Sequence, residues 1–150
     1  MQLSAEDTYC FHSIILLHCE VDDLSGMAIS YQRPMILSGC HFHQADFIFA
    51  YFLGGLLIEK CVFDKYLDFS SGGHNKPGYT VRLAHNLFKE FVNFFDCWYE
   101  AEVQIECNEF RGETNLLSFN DNYMTLDVPP VVQHNAGNLY RVDEGRRPNL

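Results

Sequence analysis

One short pattern recurs five times along this chain, and its spacing limits the folds that the chain can adopt. The pattern is apolar-x-apolar-x-x-small-x-apolar, and its copies begin at Ile14, Met35, Leu56, Val81 and Val103. The steps between copies are 21, 21, 25 and 22 residues. The longest step contains residues 70–78, which are rich in Gly, Pro, Ser and Asn and predict a surface loop. A period of this length indicates one structural unit that is repeated and stacked along an axis.

The alternation inside each copy indicates what that unit is. Apolar side chains recur at every second residue, which predicts a β-strand with one face turned inward. A step of 21 residues is too short for a strand, a full helix and their connections. It suits short strands joined by tight corners, with like residues stacked about 4.8 Å apart on successive coils. We therefore expect an all-β fold, a single-stranded parallel β-helix (solenoid) of about five coils of about 21 residues.

Two inward columns become visible when the copies are aligned. The small position forms the ladder column, which reads Cys19, Cys40, Cys61, Asn86 and Asn108. The position two residues later forms the aromatic column, which reads Val21, Phe42, Phe63, Phe88 and Phe110. The asparagines suit an inward ladder of hydrogen-bonded amides, and the second column predicts a stack of rings.

The second coil carries a resemblance to a known family. Three consecutive five-residue units begin Cys40-His41-Phe42, Ala45-Asp46-Phe47 and Ala50-Tyr51-Phe52. These units resemble those of the pentapeptide-repeat proteins, in which Ala-Asp/Asn-Leu/Phe-x-x recurs. The resemblance is clean over residues 35–52 and implies a right-handed parallel β-helix with four units in each square coil. It implies no particular activity, because many members of that family have none known.

The boundaries of the fold are predicted from where the pattern fades. We expect a β-helix domain over residues 1–128, with an N-terminal cap at 1–12, coils from about 13 to 120 and a final strand at 123–128. Pro129 and Pro130 cannot donate a hydrogen bond to a β-ladder. Residues 129–150 are therefore predicted to be a C-terminal tail.

Composition and charge restrict the partners. The formal net charge is −10, which disfavours binding to nucleic acid and to anionic membranes. No apolar run approaches the length of a membrane span. The six cysteines form no C-x-x-C pair and no secretory signal is visible, so free thiols and a cytoplasmic location are expected. We expect an unidentified protein partner, no cofactor, and a fold compatible with a homodimer through a coil end.

One exposed column carries charges of both signs and reads Asp22, His43, Asp64, Lys89 and Arg111. Asp64 is a candidate general base, with Lys89 or Arg111 steadying a substrate carboxylate. The favoured interpretation is a solvated face with ordinary ion pairs. His41 and His43 share one strand face, which makes a surface metal site conceivable. Their spacing matches no known ligand motif, so we expect no metal.

Aromatic side chains cluster in the fourth coil. Alternation should turn some of them outward, and the candidate interaction surface consists of Phe91, Phe95, Trp98 and Tyr99. No nucleotide-binding or nucleophile motif is visible, so we expect a non-catalytic structural or protein-interaction scaffold. Two alternatives stay open. One is an acidic DNA mimic that binds a topoisomerase, as some members of the pentapeptide-repeat family do; the other is a carbohydrate-active β-helix enzyme.

Overall fold

The computed structural model describes residues 9–145, and the regular elements in that range are short β-strands. In chain order they are β1 (Tyr9–Cys10), β2 (Ile14–Leu17), β3 (Glu20–Ser25), β4 (Ser30–Tyr31), β5 (Met35–Ser38), β6 (His41–Asp46), β7 (Leu56–Glu59), β8 (Val62–Phe63), β9 (Leu67–Asp68), β10 (Val81–Ala84), β11 (Leu87–Phe88), β12 (Val92–Asn93), β13 (Trp98–Tyr99), β14 (Val103–Glu106), β15 (Glu109–Phe110), β16 (Thr125–Leu126), β17 (Val131–Gln133) and β18 (Ala136–Gly137). Within residues 9–145 there is no helix with the length and apolar character needed to cross a membrane.

The strands stack into a parallel solenoid. The first sheet consists, in spatial order, of β2, β5, β7, β10, β14 and β17. The second sheet contains β3, β6, β8, β9, β11, β12, β15 and β18. Two further pairs, β1 with β4 and β13 with β16, are connected by single bridges at Tyr51 and Gly73. The strands form about five turns spaced about 22 residues apart, which confirms the predicted all-β parallel solenoid.

One backbone conformation recurs at the corner between the first and second sheets. The residue there has a positive φ at each level: His18 (52°), Gly39 (65°), Lys60 (53°), His85 (58°), Cys107 (57°) and His134 (58°). Each of these corner residues directly precedes a residue of the ladder column or its continuation. A non-glycine residue pays about 1–2 kcal/mol for a left-handed conformation. Because five of the six are not glycine, the surrounding pairing must hold the corner in place.

The aromatic column fills the interior of the solenoid. Ring centroids lie 4.8 Å apart for Phe42 and Phe63, and 5.3 Å apart for Phe63 and Phe88. The next step, from Phe88 to Phe110, is 4.9 Å. Val21 pairs with Phe42 and takes the first level of the column. These distances follow from a strand spacing of about 4.8 Å, and each stacked pair adds about 0.5–1.5 kcal/mol beyond its burial.

From the second level onward, each side chain of the ladder column hydrogen-bonds to the same two kinds of backbone group. Each side chain accepts the N–H of the ladder residue one coil earlier and donates to a carbonyl in the first-sheet strand of that coil. The sulfur of Cys61 makes both contacts, to Cys40 and Leu37, at 3.4 Å. Asn108 makes the equivalent bonds, to Asn86 and Leu83, at 3.0 and 2.9 Å. The thiols therefore contact the same backbone groups as the amides do, but through weaker hydrogen bonds.

The solenoid continues through the segment predicted to be a tail. β17 pairs in register with β14, and β18 pairs with β15, so a further level lies beyond residue 128. Asn135 occupies the ladder column at that level, and Leu139 is buried in the core. Pro129 and Pro130 directly precede β17, where a missing N–H removes no ladder bond. The predicted boundary at residue 128 is therefore corrected, because the fold includes at least residues 131–139.

Two other predicted boundaries differ from the structure. The final strand expected at 123–128 is the two-residue strand β16, which pairs with β13. Part of the expected cap, β1, is already a strand that pairs with β4. Residues 1–8, which make up the rest of that cap, and residues 146–150 lie outside the described residues.

Candidate functional site

The outward side of the first sheet carries four aliphatic side chains on its first three strands, beside a hydrogen bond of 3.1 Å between Ser38 and Glu59. Ile15 and Leu17 project from β2, and each side chain is 54% exposed. Ile36 on β5 lies in register with Ile15, and Leu57 continues that column on β7. Both of these residues are half-buried. We call Ile15, Leu17, Ile36 and Leu57 the apolar face. Grouped aliphatic side chains exposed on a regular sheet are typical of contact surfaces.

The same side of the sheet is polar over its last three strands. Arg82 on β10 pairs with Glu106 on β14, with 3.3 Å between Nη2 and Oε2. The Gln133 amide on β17 donates to the other oxygen of Glu106 at 2.6 Å. The bond from Gln133, together with Arg82, holds the pKa of the Glu106 carboxyl below its ordinary value. Gln104 lies between Arg82 and Val131 in the outward column, and Val131 is an exposed apolar residue of this half.

Four side chains meet on the outward side of the second sheet, and we call them the His–carboxylate cluster: Glu20, His41, His43 and Asp64. Asp64 Oδ2 lies 2.8 Å from Nε2 of His41 and 2.8 Å from Nδ1 of His43. The opposite ring nitrogens face Glu20. Its Oε1 atom is 3.0 Å from His43 Nε2 and 3.7 Å from His41 Nδ1. The two carboxylates therefore hold the two imidazoles from opposite sides.

Regular strands position the members of the cluster. Glu20 begins β3 and is paired in register with His41 on β6. His43 lies two residues after His41 in the same strand, so both rings project to the same side. Asp64 directly follows β8, which is the next strand of the sheet. The geometry of the cluster is therefore a consequence of the coil register and of period-two alternation.

Asp64 is a fixed anion in this cluster. Its Oδ1 atom lies 2.7 Å from Nζ of Lys89 on the following coil. Contacts with Lys89 first, and then with His41 and His43, hold the pKa of the Asp64 carboxyl well below its ordinary value, against the opposing effect of partial desolvation. A carboxylate with such a low pKa is a poor proton acceptor at neutral pH. This electrostatic environment argues against the general-base role considered for Asp64.

Only the three middle residues of the predicted charged column contact one another. His43, Asp64 and Lys89 contact one another in succession over three coils. Arg111 pairs instead with Glu109 of its own coil, with 3.1 Å between Nη2 and Oε1. A hydrogen bond to Glu20, followed by that to Asp64, raises the pKa of His43. The column is thus a series of local ion pairs, as expected of a solvated face.

The predicted aromatic surface is largely covered. Phe91 and Tyr99 are 5% and 1% exposed, so the expectation that they form a surface is wrong. Tyr99 alternates inward after Trp98, and Phe91 stacks on the Tyr66 ring at 5.9 Å. Phe95 is half-buried. Trp98 is 46% exposed, and it is the member of the predicted set that the structure leaves on the surface.

Glu20 is the member of the His–carboxylate cluster that sequence patterns do not point to. It lies one coil before His41, and no local motif connects the two residues. Alignment of the first two copies of the repeat would have placed them side by side.

A scan against models of protein families and searches of curated proteins and of solved structures found no match to this chain.

Proposed function

We propose that this chain is a non-catalytic protein-interaction scaffold that binds a protein partner through the apolar face. The observation that carries the proposal is the position of Ile15 and Leu17. Both project outward from a regular strand and are 54% exposed, and they adjoin the half-buried Ile36 and Leu57. Four aliphatic side chains grouped in this way form an apolar surface. Removing that surface from water on binding is favourable and stabilises the complex.

The surroundings of the apolar face also suit an interface. Full burial of an exposed Leu or Ile contributes about 1.5–3 kcal/mol, so covering two half-exposed side chains contributes about half of that for each. The Arg82–Glu106 pair lies one coil beyond Leu57 on the same sheet. Protein interfaces commonly combine an apolar centre with a polar rim of this kind.

Site-specific crosslinking tests this assignment. A photo-crosslinking amino acid is placed at Ile36 in the apolar face, and in a control chain at Gln104, three strands further along the same sheet. In cells of the source organism, a discrete crosslinked protein is expected from position 36 only. The variant Ile36→Lys should abolish binding of that protein, whereas Gln104→Lys should retain it. Equal crosslinking from both positions, or binding that survives Ile36→Lys, would contradict the proposal.

A second copy of the chain is the other occupant to be tested. Within the described residues, β2 is the end strand of the first sheet, and such an edge can pair with another chain. Sedimentation equilibrium of the purified protein distinguishes the cases. A monomer at all concentrations is expected if the partner is a different protein. A dimer that Ile15→Lys dissociates would identify the partner as a second copy.

A further inference from the structure

We propose that Glu20, His41 and His43 bind one divalent transition-metal ion of the Zn²⁺ class, and that Asp64 orients both imidazoles for this purpose. The proposal is independent of the apolar face, which lies on the other sheet. One ligand atom from each of the three residues lies within 4.8 Å of the other two. Two imidazoles and one carboxylate form a ligand set that proteins use for zinc.

The hydrogen bonds to Asp64 determine which ring nitrogens are available. An ionised carboxylate only accepts hydrogen bonds, so the ring atoms 2.8 Å from Asp64 Oδ2 must carry hydrogens. These atoms are Nε2 of His41 and Nδ1 of His43. A metal-bound imidazole carries only one N–H, so Nδ1 of His41 and Nε2 of His43 are the atoms left to bind an ion. Both of these atoms face Oε1 of Glu20. In the metal-free chain Nε2 of His43 is hydrogen-bonded to Glu20 at 3.0 Å, and that proton is released when the ion binds.

Three candidate ligand atoms therefore lie around one small volume. Oε1 of Glu20 lies 3.0 Å from one of the two nitrogens and 3.7 Å from the other. In a tetrahedral site with bonds of about 2.0–2.1 Å, neighbouring ligand atoms are about 3.3 Å apart. The two measured separations lie on either side of that value. A cation between the three atoms displaces the proton held between His43 and Glu20, which is released to solvent, and forms three bonds.

Asp64 has the position of an outer carboxylate in a metal site. Ligating histidines usually donate their second N–H to such a group, which fixes the tautomer and the ring orientation. Here one oxygen serves both rings, and Lys89 neutralises part of its charge from the next coil at 2.7 Å. The rigid pairing of β3 with β6 holds Glu20 beside His41 before any ion arrives.

The donor set also defines the class of ion. Imidazole nitrogen favours Zn²⁺ and Co²⁺, whereas Ca²⁺ and Mg²⁺ prefer sites composed of oxygen ligands. Three protein ligands leave a fourth position of a tetrahedral ion open to water or to a partner's side chain. The exposure of His43 and Glu20 makes that position accessible from solvent.

Metal titration tests the site directly. The full chain is titrated with Zn²⁺ in competition with a chromophoric chelator, and with Co²⁺ to record its visible spectrum. We expect one ion per chain and no competition by Ca²⁺ or Mg²⁺. His43→Gln should weaken binding by at least about 100-fold, since it removes a direct ligand. The matched control, His85→Gln, removes an exposed histidine from a corner outside the cluster and should leave the affinity unchanged.

Asp64→Asn tests the positioning role separately. We expect the affinity to fall by about 10–100-fold, as for other second partners of ligating histidines. With Zn²⁺ bound, ¹⁵N NMR should show the Nε2–H tautomer for His41 and the Nδ1–H tautomer for His43, and Asp64→Asn should mix them. Circular dichroism verifies that each variant is folded. Absence of Zn²⁺ binding by the folded wild-type chain, or equal losses in His43→Gln and His85→Gln, would overturn the proposal.

Discussion

The first three levels of the ladder column carry thiols and the last three carry amides, yet both halves bond to equivalent backbone groups. The thiol half comprises the levels of Cys19, Cys40 and Cys61, and the amide half comprises those of Asn86, Asn108 and Asn135. Sulfur contacts in the first half are 3.4 Å long, whereas the amide bonds are 2.8–3.0 Å. The position therefore requires a small side chain with one donor and one acceptor, rather than a particular residue.

The outer surface changes at the same place as the ladder column. The thiol half presents the apolar face, and the amide half presents Arg82, Gln104, Glu106 and Gln133. In the amide half, Asn86 also donates to Asn108, and Asn108 donates to Asn135, so side chains add bonds between coils. The thiol half therefore has weaker bonds inside, and on the outside of its first sheet it carries the apolar face. A partner that covers the apolar face would strengthen the half that has the weaker internal bonds.

The largest expected effect is the loss of one amide from the ladder. Asn108→Ala deprives the buried N–H of Asn86 and the carbonyl of Leu83 of their partners. Because an unsatisfied buried polar group costs about 1–3 kcal/mol, we expect the free energy of unfolding to fall by about 3 kcal/mol. Urea denaturation followed by Trp98 fluorescence measures the change.

The matched variant in the thiol half is Cys40→Ala. It removes two sulfur contacts of 3.4 Å to the equivalent groups, the N–H of Cys19 and the carbonyl of Leu16. Sulfur is a weak partner, so we expect a loss of about 1 kcal/mol. If Asn108→Ala and Cys40→Ala lowered the free energy of unfolding equally, the thiol and amide halves of the ladder column would be equally well bonded. That result would contradict the difference inferred between the two halves.

Extension of the amide ladder by one level gives a smaller effect. Burial raises the pKa of the Cys61 thiol to about 12, so this group is a protonated donor at neutral pH. In Cys61→Asn, the new amide meets the N–H of Cys40 and the carbonyl of Leu37, which already contact the sulfur. It also gains a neighbouring amide at Asn86. We expect the free energy of unfolding to change by less than about 1 kcal/mol, as measured by urea denaturation.

Cys97 provides the control for that exchange. It is a buried cysteine outside the ladder column, and its coil neighbour is Met124 rather than an asparagine. The Cys97 thiol donates to the Phe69 carbonyl at 3.0 Å, but an amide at this position finds no amide on the next coil. Cys97→Asn should therefore cost about 1 kcal/mol more than Cys61→Asn. If both variants were equally destabilised, position 61 would lack the bonding pattern attributed to it.

The fold class was predictable because the information is repeated. Strand alternation and a period near 21 residues occur in five copies, so irregularity in one copy leaves the conclusion intact. The sixth level was missed because its copy is altered at two positions. Pro130 stands where the other copies begin with an apolar strand residue, and Gly137 stands in the aromatic column. The remaining signal, Val132-x-x-Asn135, is too short to be recognised without the structure.

The surface sites were less predictable, since they depend on residues that are distant in the chain. The shared face of His41 and His43 follows from alternation within one strand, but the approach of Glu20 depends on the register between two coils. Phe91 was expected on the surface, yet it lies beneath Gly145 and Arg141 from the last part of the fold. Local alternation gives the direction of a side chain but not what covers it.

The smallest expected effect tests whether the two halves differ only in the ladder column. Lys60 in the thiol half and His85 in the amide half occupy the same corner, with φ values of 53° and 58°. Both are exposed. A glycine at either position removes the strain of the left-handed conformation, but it also raises the conformational entropy of the unfolded chain, which opposes folding. We expect Lys60→Gly and His85→Gly each to raise the free energy of unfolding by about 0.5 kcal/mol. Equal gains in urea denaturation would mean that the corner is independent of ladder chemistry. A gain confined to His85→Gly would mean that the thiol ladder also alters the corner, so that the two halves differ in their backbone as well.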